Sequence, residues 1–171
     1  MVQVGQKAPE FALEGVLDNE FVDVKLSDYA GTWVVLFFYP LDFTFVCPTE
    51  IRGFSSRVAE FDALGAKVIG CSVDSKFSHL AWTERDLGKL SFPLLSDMKR
   101  EVMDDYGVLL ADEGVALRGT FIIDPDGVLR YSCVHDNNIG RNTEETLRVL
   151  QALQTGELCP VDWRPGEETL G

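Results

Sequence analysis

WVVLFFYPLDFTFVCPTEIRGFSSRVAEFDALG, residues 33–65, decides how the rest of the chain is read. Trp33 to Tyr39 are seven uninterrupted apolar residues, the pattern of a strand buried on both faces. After Cys47, the residues Ile51, Phe54, Val58, Phe61 and Leu64 recur three or four apart, and Gly65 ends the run. That is a helix with one apolar face and a glycine just past its end. Pro48 suits the first helical position, where its missing N–H would have had no partner. Cys47 is then expected at or near the N-cap, where free backbone N–H groups and the positive end of the helix dipole favour a thiolate. The plainer reading of Cys47 is a small buried apolar residue that happens to start a helix.

The chain has 171 residues, enough for one domain that folds without disulfide staples. Its 28 acidic and 15 basic side chains give a net charge of −13, which argues against nucleic acid and anionic membrane surfaces as partners. The Trp33–Tyr39 run is too short to cross a bilayer, and Met1 to Glu10 carry no apolar signal-peptide core. The expected location is the cytoplasm, where four cysteines do not form a structural disulfide framework. Cys47, Cys71, Cys133, Cys159, His79 and His135 show no paired ligand spacing, and no phosphate-cradling glycine motif occurs. Neither a metal nor another cofactor is expected.

Upstream, Met1 to Tyr29 read as an irregular β start containing a short strand at Phe21–Val24. Downstream, Ala66 to Val73 form the next strand of a right-handed parallel crossover. Ser75 can cap a helix carrying Phe77, Leu80, Ala81 and Leu87, and Gly88 ends it. Phe92 to Leu95 are a short strand, and Asp97 opens a helix with Met98, Val102 and Tyr106 on one face. Asp124-Pro125-Asp126-Gly127 joins the strands Val115–Ile123 and Val128–Val134 in antiparallel fashion. Asn142 and Glu145 form a capping-box pattern ahead of a last helix with Leu147, Leu150 and Leu153 inward. A polar tail follows from Gly156. This order predicts an α/β fold, a three-layer thioredoxin-like sandwich with a central mixed sheet and an added N-terminal β segment. Residues 1–155 are expected to form the main domain and 156–171 a C-terminal tail. The chemistry of such sheets lies beyond the carboxyl ends of the strands, where the Pro40–Cys47 loop sits.

Two side chains are candidates to act with Cys47. Thr44, three residues earlier, can present a hydroxyl to the same pocket. Arg118 alternates away from Leu117, Phe121 and Ile123, and among such neighbours it needs an anion. That anion could be a carboxylate such as Glu50, or the reactive sulfur.

Pro40, Thr44 and Cys47 form P-x-x-x-T-x-x-C, and the longer string FYPLDFTFVCPTE resembles the active-site signature of typical two-cysteine peroxiredoxins, the alkyl hydroperoxide reductase C and thioredoxin peroxidase group. The strand around Arg118, the string Val68–Ser75, the segment His79–Trp82 and the tail Gly156–Gly166 extend the similarity over nearly the whole chain. The resemblance implies the same thioredoxin-like fold. It also implies a thiol peroxidase acting on hydrogen peroxide and organic hydroperoxides. Cys47 would be the peroxidatic nucleophile, with Pro40, Thr44 and Arg118 around the peroxide. Glu50 and Arg141 stand at the matching positions of PTE and IGR and would orient Arg118 and the helix start.

The sulfenic acid formed on Cys47 would condense with a second thiol. Cys71 and Cys133 lie in apolar strand segments and read as packing residues, whereas Cys159 lies in a Gly/Pro-rich tail. The resemblance assigns Cys159 as the resolving cysteine, in an intersubunit disulfide. It therefore implies a homodimer, possibly built into a ring of five dimers, and recycling by a thioredoxin-like or other dithiol protein. Arg85-Asp86-Leu87-Gly88 departs from the Gly-Gly-Leu-Gly loop of many eukaryotic members, and the C-terminal Tyr-Phe helix of those members does not follow. Resistance of Cys47 to over-oxidation is the resulting expectation. A redox-switched assembly protein or chaperone, without turnover, is the alternative from another class.

Overall fold

Even and odd residues of strand β3 (Trp33–Phe38) divide the core in two. Val34, Leu36 and Phe38 enter one apolar cluster with Ile69, Met103, Tyr106 and Phe121. Val35, Phe37 and Tyr39 enter the other with Ile51, Phe54, Trp82 and Leu150. A strand buried on both faces has to read as continuously apolar, as this one does. The computed structural model describes residues 1–171.

The remaining elements are β1 (Ala12–Leu17), β2 (Glu20–Lys25), α1 (Cys47–Ala63), β4 (Ala66–Ser72), α2 (Lys76–Trp82), β5 (Leu94–Ser96), α3 (Glu101–Asp105), β6 (Leu109–Leu110), β7 (Val115–Ala116), β8 (Arg118–Ile123), β9 (Leu129–His135) and α4 (Thr143–Thr155). Seven strands form a mixed sheet in the order β2-β1-β5-β4-β3-β8-β9. β3, β4 and β5 run parallel, while β8 and β9 continue the sheet antiparallel on one side and β1 and β2 on the other. Helices α1 and α4 supply one covering layer and α3 the other, so the architecture is the expected α/β sandwich. The added N-terminal segment is the β1–β2 hairpin. Asp18 and Asn19 both take positive φ at its tip, as a two-residue hairpin turn of the right twist requires. None of the helices is long and apolar enough to cross a membrane.

Local chemistry explains several boundaries. Asn142 Oδ1 accepts from the Glu145 N–H at 3.0 Å and caps α4. The reciprocal half of the capping box is absent, because the Glu145 carboxylate is taken by Arg148. Asp124 Oδ1 accepts from the N–H groups of Asp126 and Val128 and fixes the β8–β9 turn. The expected strand Val115–Ile123 is broken at Leu117, whose N–H turns away to the Val108 carbonyl. The helix expected from Asp97 begins at Glu101, behind Arg100 in the left-handed region. Asp97 is buried and instead accepts from the Met103 N–H.

The largest departure is in α2. Ser75 does cap it, accepting from Ser78 N, and Gly88 does end the segment. Phe77, however, is 65% exposed, and His79, Trp82 and Thr83 are the buried residues. Thr83–Leu87 winds as a π-turn, which shifts the phase that a 3.6-residue count assumes.

Candidate active site

The Tyr39 N–H still pairs with the Cys71 carbonyl, and the chain then leaves the sheet for the loop that enters α1. Cys47 is the first helical residue and Pro48 the second; Val46, in the right-handed α region, is the N-cap. This is one position later than expected for Cys47, and the difference has a consequence. An N-cap side chain folds back onto the N–H groups of the first turn, whereas a first-position side chain leaves the helix. The Cys47 sulfur, 0% exposed, takes its hydrogen bond from Arg118 Nη1 at 3.3 Å.

Arg118 opens β8, and the antiparallel register with β3 (Phe37 opposite Thr120) brings it to the carboxyl end of β3, beside the loop. Its side chain shares a face with Ile122, which packs in the α1 cluster. The guanidinium is held on three sides. Nη1 donates to Glu50 Oε2 at 2.7 Å as well as to the sulfur, and Nε donates to the Asn137 carbonyl at 2.9 Å. Both readings of Arg118 are therefore realised at once, since the carboxylate and the sulfur share one nitrogen.

Glu50 sits in the first turn of α1, one turn beyond Cys47. Arg141 grips it in bidentate fashion, Nε to Oε1 at 3.0 Å and Nη2 to Oε2 at 2.9 Å, and the Arg141 backbone N–H adds a third bond at 3.0 Å. Arg141 Nη1 donates to the Gly119 carbonyl at 2.7 Å, and its guanidinium lies 5.0 Å over the Phe37 ring. Burial lowers the Arg141 pKa from its ordinary value, Glu50 opposes that, and Arg118 adds to the lowering. Arginine nevertheless stays protonated. The side chains of Glu50, Arg118 and Arg141 are all at most 3% exposed.

The structure thus brings Cys47, Glu50, Arg118 and Arg141 together. Pro40 is buried at the start of the loop. The Thr44 hydroxyl donates to the Leu41 carbonyl at 3.0 Å, so its proton is committed within the loop and not to the sulfur. Cys71 is buried in the opposite core cluster, and burial raises its thiol well above the ordinary value. Cys133 is only half-buried, because β9 is an edge strand. Cys159 is half-buried against the end of α4, 3.5 Å from Thr155 Oγ1, in a tail that is anchored by buried Trp163 and by Arg148 bonding the Trp163 carbonyl.

A second buried polar cluster was not legible in the sequence. Tyr39 OH donates to Asp42 Oδ1 at 2.8 Å, and Ser78 Oγ donates to Asp42 Oδ2 at 2.9 Å. His79 Nδ1 lies 2.7 Å from Asp42 Oδ2, and His79 Nε2 lies 2.9 Å from the Leu95 carbonyl. The Asp42 N–H donates to Asp74 Oδ2, tying the Cys47 loop to the β4–α2 turn. The one available signal was polar Asp42 directly after an apolar strand. The Asn137 carbonyl that holds Arg118 is backbone, and side-chain types carry no signal for it.

Comparison with known proteins agrees with this geometry. A model of the AhpC/TSA family matches residues 4–132. The chain is 53% identical to a putative peroxiredoxin in the rubredoxin operon of Clostridium pasteurianum, over 98% of both chains. It is 54% identical to peroxiredoxin-2 of Macaca fascicularis, over 98% of this chain and 89% of that one. Reduced 2-Cys peroxiredoxin of Plasmodium vivax superposes with a TM-score of 0.95 at 39% identity, covering 99% of this chain and 93% of that chain. AhpC of Mycobacterium tuberculosis superposes with a TM-score of 0.87 at 41% identity, covering 96% and 99%. The chain therefore belongs to the AhpC/TSA family, among its 2-Cys peroxiredoxins, which are thiol-dependent peroxidases.

Proposed function

We propose that Cys47 is the peroxidatic nucleophile and reacts as a thiolate. One observation carries this reading. Arg118 and Arg141 bring two positive charges into a dry site, and Glu50 supplies one negative charge. Buried charge that is not balanced is costly. A thiolate at Cys47, already within hydrogen-bond distance of Arg118, closes the balance.

The thiolate attacks the nearer oxygen of hydrogen peroxide or an organic hydroperoxide. The S–O bond forms as the O–O bond breaks, and hydroxide or alkoxide leaves and takes a proton. Arg118, fixed in advance by Glu50 and the Asn137 carbonyl, stabilises the charge moving along the S–O–O line. Pro40 shields the loop, and Thr44, whose proton is held by Leu41, can accept the proton of the incoming hydroperoxide. Glu50 and Arg141 act as positioning residues.

Cys47 sulfenic acid then condenses with the Cys159 thiol, giving a disulfide and water. Two positions support an intersubunit bond. Cys159 shares a surface hollow with Trp33, at the start of β3, whereas Cys47 follows the far end of that strand. Six residues of strand span about 20 Å, and a disulfide needs Cα atoms within about 7 Å. A second copy of the chain supplies the partner, in a homodimer that can assemble into a ring of five dimers. A thioredoxin-like dithiol protein returns the disulfide to thiols. All four cysteines are free in this structure, which fits residence in a reducing compartment such as the cytoplasm.

Peroxide consumption with an added dithiol tests this. Cys47→Ser is expected to abolish turnover. Cys159→Ser is expected to permit one oxidation of Cys47 but to give no intersubunit disulfide on a non-reducing gel. Turnover retained by Cys47→Ser would remove that residue from its assigned role.

A further inference from the structure

We propose that Arg52 and Arg85 form a carboxylate-binding mouth beside the Cys47 loop, so that the enzyme prefers organic hydroperoxides carrying an acid group to their neutral esters. The inference rests on the thiol-peroxidase reading and adds to it a class of substrate.

A surface hollow of about 560 Å³ opens against the loop, with Thr44 and Pro48, close neighbours of Cys47, in its wall. Phe43 and Trp82, with ring centroids 5.8 Å apart, make one side apolar. Arg52 stands one helical turn beyond Pro48 on the same face of α1. Its Nη2 donates to the Asp86 carbonyl at 2.7 Å, which fixes the guanidinium at the rim. That bond leaves its charge uncancelled, and Arg52 makes no ion pair. Arg85 leans over the Phe43 ring at 5.7 Å. The one carboxylate in the wall is Asp86, which lies 3.3 Å from Arg85 Nε. The two are sequence neighbours with side chains 75% and 37% exposed, a pair of small energetic weight. The hollow therefore keeps one positive charge in excess, on a chain whose net charge is −13.

Arg52 lies five residues beyond Cys47, about 7.5 Å along the helix axis. A ligand with its hydroperoxide at the sulfur and its acid group at Arg52 thus needs a hydrocarbon spacer of that order, and Phe43, Pro48 and Trp82 supply apolar surface for it. Hydrogen peroxide engages none of this. A neutral ester engages only the apolar wall.

The test compares kcat/KM for the 9-hydroperoxide of linoleic acid and for its methyl ester, below micellar concentrations, with hydrogen peroxide run alongside. An acid-to-ester ratio of about five is expected for the wild type, given up to about 1 kcal/mol for an exposed charge contact. The ratio is expected to fall to one or below in Arg52→Gln/Arg85→Gln. Arg52→Lys, which keeps the charge but loses the fork, is expected to retain part of the preference. Raised salt is expected to shrink the wild-type ratio. Both substrates are read on the same preparation, so a loss of folded enzyme cancels in the ratio. If the double variant turns over neither substrate, the wild-type salt series and Arg52→Lys decide. A wild-type ratio at or below one, as general repulsion from an acidic protein would give, overturns the proposal. So does a preference that salt leaves unchanged. A wild type that consumes no hydrogen peroxide overturns the underlying peroxidase reading instead.

Discussion

The Glu50–Arg118–Arg141 cluster and the Asp42–His79 cluster border the same loop, one on the α1 side and one on the α2 side, and they are built from different chemistry. In the first, two guanidiniums share one carboxylate and a sulfur. Guanidiniums keep their charge at any working pH, so this cluster offers a constant field. In the second, a single carboxylate faces an imidazole and a phenol. Burial, and after it the Asp42 carboxylate, raises the Tyr39 phenol well above its ordinary value, so the phenol remains a donor. Both nitrogens of His79 face oxygen acceptors, and only the imidazolium satisfies both. One cluster holds its charge, and the other can lose it near neutral pH. The residue doing chemistry is attached to the one that cannot.

Glu50→Gln is the strongest way to break this contrast. It leaves two buried guanidiniums without a carboxylate, at a cost of about 3–5 kcal/mol. Urea unfolding followed by tryptophan fluorescence, at fixed protein concentration, measures the loss. The rate with hydrogen peroxide is expected to fall about a hundredfold, because Arg118 loses the partner that aims it. A variant of wild-type stability would mean that the cluster is solvated rather than dry.

His79→Gln probes the other side. Burial alone would lower the His79 pKa, but the hydrogen bond and charge of Asp42, the Leu95 carbonyl and Asp74 outweigh it, and the net shift is upward. A histidine whose folded value lies above its unfolded value of about 6.5 holds extra protons in the folded state. The stability it contributes is full below that unfolded value and is lost as pH rises through the folded value. Wild-type stability should therefore decline with pH above about 6.5. The groups facing His79 are Tyr39 and Asp42 from the end of β3 and its loop, Asp74 from the β4–α2 turn, Ser78 from α2 and the Leu95 carbonyl from β5. Asp74 is itself raised, by burial first and by Asp42 second, so its own decline falls in the acid range. His79→Gln should cost about 1–3 kcal/mol at pH 6, because Gln keeps one donor toward Asp42, and should flatten the slope above neutrality. A slope that survives the substitution would place its origin elsewhere.

The two clusters also differ in how far they can be read from sequence. Cys47, Thr44 and Arg118 stand in strings whose periodicity and composition single them out, and β3 and α1 follow from plain patterns. The Asp42–His79 pair joins residues 37 apart, and nothing in either local string marks the partner. The α2 phase depends on a π-turn at Thr83–Leu87, which a 3.6-residue count cannot anticipate. The same limit hid Val46 as the cap of α1, since valine has no side-chain oxygen to signal it.

The smallest expected effect is the most discriminating for the first cluster. Asn142 caps α4 and directly follows Arg141, whose backbone N–H and guanidinium both reach Glu50. Asn142→Ala removes the cap to the Glu145 N–H and leaves every charge in place. It should cost about 1 kcal/mol in urea unfolding. If Arg141 is held chiefly by its three bonds to Glu50 and its bond to the Gly119 carbonyl, fraying of the first turn of α4 should not move it. The peroxide rate should then stay within about twofold of wild type, since no group of the reacting site is displaced. A rate that falls toward that of Glu50→Gln would show that the field at Cys47 depends on a helix end and is not a property of the four side chains alone.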